Sequence, residues 1–206
     1  MFSKEIQFKR PRIENKVSIH NVSHVLFPEF QRSSYLFENN EVYVITGANM
    51  AGKSCYLRNL FHIAILSKIG CFIDCDSAEV PAFDEMYFIN SIEDVNILTQ
   101  KILKKTVSIE ENYKTPERLV LIDELHCCSK IQLNLLLLLK NSRILTLFVT
   151  HRTELIDKLK DRNFKIFSYE NFQLKEGVNN QSNVLKICER HFPEILQPPV
   201  KRMHFY

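Results

Sequence analysis

The run Gly47-Ala48-Asn49-Met50-Ala51-Gly52-Lys53-Ser54 constrains this chain more than any other feature. Its spacing, G-x-x-x-x-G-K-S, calls for a definite surrounding: a strand leading in, a tight backbone curl, and a helix leading out. Both flanks comply. Val42-Tyr43-Val44-Ile45-Thr46 is apolar and β-prone, and Lys53 to Ile69 is compatible with a helix. The glycines let successive N–H groups turn inward into an anion cradle. The helix that follows aims its positive end at the same anion. Lys53 supplies a point charge suited to the β- and γ-phosphates of a nucleotide, and the Ser54 hydroxyl suits Mg²⁺.

Strands and helices alternate after the loop. Gly70 reads as a C-cap that ends the first helix. Cys71-Phe72-Ile73 and Met86-Tyr87-Phe88-Ile89 read as two further strands, and 91–115 as a charged, weakly helical stretch. Leu119-Val120-Leu121-Ile122 and Ile144-Leu145-Thr146-Leu147-Phe148-Val149 are continuous apolar runs, as in strands buried on both faces of a parallel sheet. A short helix is expected from Ile131 to Lys140, a hairpin over 164–175 and a last helix over 181–190. The pattern predicts an α/β fold with a mostly parallel central sheet flanked by helices. One domain over 1–206 is expected: a strand-and-loop segment 1–40, a core 41–175 and a helical tail 176–206.

Composition narrows little else. The 206 residues are 45% hydrophobic and 25% charged, as in globular proteins, and the net charge of +3 is too mild to argue for nucleic-acid binding. The polar start Met1-Phe2-Ser3-Lys4-Glu5 lacks a signal-peptide core, and the longest apolar run, Leu135 to Leu139, is far short of a membrane span. The expected setting is intracellular, with reduced thiols; none of the six cysteines is spaced as a zinc knuckle.

Two further pieces complete a site. Leu119–Ile122 runs into Asp123-Glu124, a strand end whose acids point to different sides. Asp123 is expected to hold Mg²⁺ with Ser54, and Glu124 to activate a water as general base. The next buried strand ends in Thr150-His151, which puts His151 on the ligand-binding edge of an open sheet, where it can sense the γ-phosphate.

The residues of the loop, the acidic pair and the histidine carry a specific resemblance. Val44 to Ser54 resembles the T-G-P-N-M-G-G-K-S-T loop of the MutS family of DNA mismatch-repair proteins, the Asn49-Met50 pair being the distinctive part. Tyr56-Leu57-Arg58 and Ile69 to Ile73 continue the likeness. Leu119 to Leu125 is similar to the family's L-V-L-I-D-E-L, Thr146 to Leu155 to its T-L-F-A-T-H-x-x-E-L, and Leu174 to Ser182 to its L-x-x-G-x-x-x-x-S. Tyr56-Leu57 leans toward eukaryotic branches, the meiotic ones among them.

That resemblance implies a phosphate-loop ATPase domain of the ABC type, at the C-terminal end of the family's proteins, that dimerises around two ATP molecules. Carried over, Gly47, Ala48, Asn49, Met50, Ala51, Gly52, Lys53, Ser54 and Cys55 bind ATP, Phe30 stacks near the adenine, and Ser54 and Asp123 hold Mg²⁺. Lys53, Glu124 and His151 serve hydrolysis. The implied partner is a second MutS-type chain, homo- or heteromeric, with DNA met through that partner or through other domains, no membrane, and a nuclear location in a eukaryote.

The chain departs from the family in two places. No G-x-S-T-F run occurs between Ile89 and Leu119, where Ser91, Thr99, Thr106 and Ser108 are the available substitutes. After Glu124, where the family has G-R-G-T-S, stands His126-Cys127-Cys128-Ser129-Lys130. In the family both segments complete the neighbour's site. The resemblance therefore implies a chain that keeps residues acting within its own site and has lost those acting across the dimer. Only about 40 residues precede the loop, so the family's mismatch-reading domains are not expected here. Two other readings stay open: an ATP-controlled dimerisation module that does not hydrolyse, and a small phosphate-loop kinase.

Overall fold

The structure is a computed structural model, and it describes residues 7–107, 117–170 and 173–178. In chain order its elements are β1 (Phe8–Lys9), β2 (Arg12–Ile13), β3 (Lys16–Val22), β4 (Ser33–Glu38), β5 (Val42–Thr46), α1 (Lys53–Lys68), β6 (Ile73–Asp74), β7 (Ser77–Val80), β8 (Glu85–Ile89), α2 (Ile92–Val107), β9 (Arg118–Asp123), α3 (Ser129–Asn141), β10 (Leu145–Val149), α4 (Thr153–Lys160), β11 (Lys165–Glu170) and β12 (Gln173–Glu176).

A six-stranded sheet, in the order β12-β11-β5-β10-β9-β8, forms the centre. Every neighbouring pair in it is parallel except β11 with β12, which form the expected hairpin. The apolar runs alternate between two cores, as the period of a strand requires. Tyr43, Ile45, Leu119, Leu121, Leu145, Leu147 and Val149 face α1 through Leu57, Leu60 and Ile63. Val42, Val44, Val120, Ile122, Phe148 and Ile166 face the opposite way, onto α2, α3 and α4. Both faces are covered, which is why these strands carry so little polar residue.

A second sheet, β2-β7-β3-β4, covers the far side of α1. Its Val17, Ile19, Val22, Tyr35, Phe37 and Val80 share one core with that helix, so α1 is sandwiched between two sheets. Residues 12–38 supply most of this layer, within the N-terminal stretch read as strands and loops.

The strand expected at Cys71-Phe72-Ile73 forms only as Ile73–Asp74. It pairs with β1 outside the central sheet. Phe72 is exposed, so the apolar run there does not signal a buried strand. Gly70 does cap α1: it has φ 77°, and the following Cys71 N–H donates to Leu66 O. The charged stretch after Ile89 is a regular helix, α2, that buries Val95, Leu98 and Ile102. The short α4, with Leu155, Ile156 and Leu159 buried, was not anticipated. The helix expected over 181–190 lies outside the described residues. Among the described residues no helix is long and apolar enough to cross a membrane.

Candidate nucleotide site

Register places the site. In the central sheet Ile45 lies beside Val149, and Val149 beside Asp123, so these three stand in one row across adjacent strands. Two strand spacings make that row about 10 Å wide. The phosphate loop leaves β5 two residues beyond Ile45, the acidic pair ends β9, and His151 lies two residues beyond Val149. All three sequence signals therefore emerge at the carboxyl edge of one parallel sheet, within the reach of one nucleotide.

The loop is built by backbone. Gly47 has φ 140° and Gly52 φ 94°. A Cβ on Gly47 would stand 2.7 Å from the Tyr169 carbonyl oxygen of β11, so glycine is needed there for space as well as conformation. Met50, at the exposed tip, also takes a left-handed φ of 59°. Gly52 caps α1 without any side-chain bond, and the first turn carries no acid. The first intrahelical bond runs from Tyr56 N to Gly52 O. The N–H groups of Lys53, Ser54 and Cys55 are thus left without intrahelical partners, at the positive end of a 16-residue helix.

Lys53 is 4% exposed, and its ammonium donates to the Gly47 and Ala48 carbonyls at 3.1 and 2.7 Å. Burial holds its pKa below the ordinary lysine value of 10.5; the nearby Glu124 and Asp123 carboxylates oppose that shift. The Ser54 hydroxyl donates to Asp123 Oδ1 at 2.9 Å. These two side chains come from positions 69 residues apart, and they present a hydroxyl and a carboxylate oxygen to one point. Hard oxygen donors of this kind suit Mg²⁺, with phosphate and water completing the shell. Among the described residues no cluster of three or more His, Cys, Asp or Glu side chains is poised for a metal.

Glu124 follows the strand in a left-handed conformation, φ 47°, which turns its side chain along the edge. There Oε1 meets His151 Nε2 at 2.6 Å, both groups partly open to solvent. The candidate base and the candidate sensor are thus direct partners, which neither motif alone announces.

Phe30 lies beside the loop: it lines one small cavity with Gly52 and Cys55. Its ring stacks on Phe27 with centroids 5.1 Å apart, and both rings keep a solvent-facing side. Two buried polar residues that the sequence reading passed over fasten this aromatic arm to α1. Asn59, 2% exposed, accepts the Val25 N–H at 2.8 Å through Oδ1. His24 Nδ1 accepts the N–H groups of Leu26 and Phe27, both at 3.2 Å, and burial lowers its pKa, keeping the ring neutral. The signal for Asn59 was present: a polar side chain at a core position of α1, between the buried Tyr56 and Ile63.

Of the expected signature substitutes, Ser91 is a helix cap. Its Oγ accepts the Asp94 N–H at 3.2 Å, the first turn of α2. Thr99 lies within α2, Thr106 lies near its end, and Ser108 lies outside the described residues. A groove of about 1500 Å³ lies between β4 and the β11–β12 hairpin. It includes Phe30 but none of Lys53, Ser54, Asp123 or Glu124, so its size does not locate the phosphate chemistry.

Comparison with known proteins gives the family. The model of MutS domain V matches residues 43–189. The chain is 27% identical over 201 residues to the DNA mismatch repair protein MSH3 of Lodderomyces elongisporus, covering 88% of this chain and 20% of that protein. It is 36% identical over 91 residues to the DNA mismatch repair protein MutS of Lactobacillus gasseri, covering 43% of this chain and 11% of that one. To the MutS protein homolog 4 of Candida albicans it is 36% identical over 90 residues, again 43% and 11%. The chain thus spans a fifth or less of the length of these relatives. A family model that takes in the phosphate loop, the acidic pair and the strand-end histidine together leaves one assignment: the chain belongs to the MutS family, matching its domain V.

Proposed function

We propose that this chain is the ATP-binding and ATP-hydrolysing module of a MutS-like protein of DNA mismatch repair or recombination, working as a nucleotide-controlled dimer. The observation that carries the reading is the convergence of Lys53, Ser54 and Asp123 on one point of the sheet edge, with Ser54 and Asp123 2.9 Å apart. In this reading the N–H groups of the loop and of the first turn of α1 bind the phosphates, and Lys53 exchanges its carbonyl partners for phosphate oxygens. Ser54 and Asp123 would hold Mg²⁺, whose charge would offset that of the phosphates. Glu124 orients and deprotonates the attacking water, and His151, its partner at 2.6 Å, reports the γ-phosphate. Phe30, backed by Phe27, offers a ring face to the adenine. DNA is met through the dimer partner or through domains beyond this sequence.

The altered segments qualify the chemistry. With no G-x-S-T-F run and with His126-Cys127-Cys128 after Leu125, this chain supplies its own half of a composite site and little of a partner's. The loss of one contact to the reacting group costs about 10² to 10³ in rate. A homodimer is therefore expected to hydrolyse slowly, and a heterodimer with an intact relative to work at one site. The same departure favours a second reading, a module whose ATP binding only controls dimerisation. Glu124→Gln separates the two: if hydrolysis is native, the variant accumulates as an ATP-bound dimer in size-exclusion chromatography while wild type does not. Identical elution of the two with ATP would replace hydrolysis by the second reading.

A further inference from the structure

The buried set of α3 is Gln132, Leu135, Leu136 and Leu139, spaced i, i+3, i+4 and i+7. A glutamine thus takes a place in the apolar stripe, and it is 1% exposed. Its Nε2 donates to the Leu125 carbonyl and, at 3.4 Å, to the Cys127 carbonyl. Its Oε1 is buried without a partner. Such a residue is costly in a core unless its bonds hold something in place.

What it reaches is the turn directly after Glu124. That turn carries backbone strain. Glu124 has φ 47°, a conformation a non-glycine residue keeps only where its surroundings impose it. The Leu125 side chain is buried in the core, the Cys127 N–H folds back onto the Leu125 carbonyl at 3.1 Å, and Cys128 caps α3 without a side-chain bond. The Glu124 carboxylate meets His151, and that pair faces solvent. Gln132 is the dry anchor of the turn and His151 the wet one.

The geometry points to Gln132 as the positioning residue for Glu124: its amide fixes the 124–128 turn from below and so sets where the Glu124 carboxylate stands. For catalysis this rests on the hydrolytic reading above; the fixing of the turn does not. The turn it reaches includes the stretch where the chain departs from the family's G-R-G-T-S, while Gln132 itself lies just after that stretch, on α3.

Gln132→Met keeps length and apolar bulk and removes both donated bonds. In hydrogen-exchange mass spectrometry the peptide spanning 123–129 is expected to exchange about tenfold faster, the weight of one hydrogen bond, with peptides of α1 and the 47–54 loop unchanged. Steady-state kinetics should show kcat reduced about tenfold with Mg·ATP binding within about twofold of wild type. In the unaltered protein, NMR should show the Gln132 side-chain amide protons exchanging far more slowly than those of the exposed Gln100. Unchanged exchange over 123–129 in the variant, or free exchange of the Gln132 amide in wild type, would overturn the inference. Wild type without turnover would instead remove the hydrolytic reading, and the exchange data would still decide the role of Gln132.

Discussion

Lys53 has the most lopsided surroundings of any residue in the site. Its charge is buried against two carbonyl oxygens, with Asp123 and Glu124 near enough to counter part of the cost. Arrival of a polyphosphate would give it the anion it lacks and raise its pKa. The sign of the linkage follows: protons are taken up on binding, so affinity is full while the free protein's lysine is protonated and falls as pH rises through its depressed value. ATP affinity should therefore decline in the alkaline range before the ordinary 10.5, and a titration series at rising pH would show it. A profile that declines no earlier than for an ordinary lysine would contradict the burial argument. Lys53, Ser54, Asp123 and His151 were all legible in the sequence, because each belongs to a contiguous pattern whose spacing has a physical reason. The partners of His24, Asn59 and Gln132 were not. Each of these three is a lone polar residue whose meaning lies in a backbone group elsewhere, and no local pattern shows which carbonyl or N–H a buried amide will meet.

At the scale of elements the same division holds. The central strands were readable because burial on both faces leaves continuous apolar runs. The second sheet was not, since its pairings join distant segments: His20 faces Ser77, and Arg12 faces Glu79. The eight-residue α4 was too short to declare a period. The link between the second sheet, the aromatic arm and β6 is the ion pair of Arg32 with Asp74, 2.8 Å apart and mostly shielded. Arg32 also donates to the Asn21 carbonyl at 2.8 Å, and Ser23 Oγ to Asp74. The Arg32 guanidinium holds the Asp74 pKa at about 2, against an ordinary 3.8. A depressed carboxylate contributes stability above its unfolded value and loses it as pH falls through the folded one. Asp74→Asn should therefore cost about 1–2 kcal/mol at pH 7, discounted for the solvent beside it. The gap between variant and wild type should close between about pH 4 and pH 2. Urea denaturation across that range is the measurement, and a gap independent of pH would contradict it.

In the described residues the two larger sheets sandwich α1, with α2, α3 and α4 on the other face of the central sheet. That plan explains why a loop, an acidic strand end and a histidine far apart in sequence act at one place: three parallel strands in the order β5-β10-β9 deliver them side by side. The stretch that stands in place of G-R-G-T-S joins the end of β9 to α3 directly after Glu124, so it borders this site.

The claim beneath all of this is that Lys53, Ser54 and Asp123 form one magnesium-dependent nucleotide pocket. Calorimetric titration of ATP into the wild-type chain, with and without Mg²⁺, beside Lys53→Ala and Asp123→Asn, tests it directly. The account predicts saturable binding that Mg²⁺ tightens in wild type, loss of binding in Lys53→Ala, and binding that no longer responds to Mg²⁺ in Asp123→Asn. Wild-type affinity unmoved by Mg²⁺, or full binding by the Lys53→Ala variant, would contradict it.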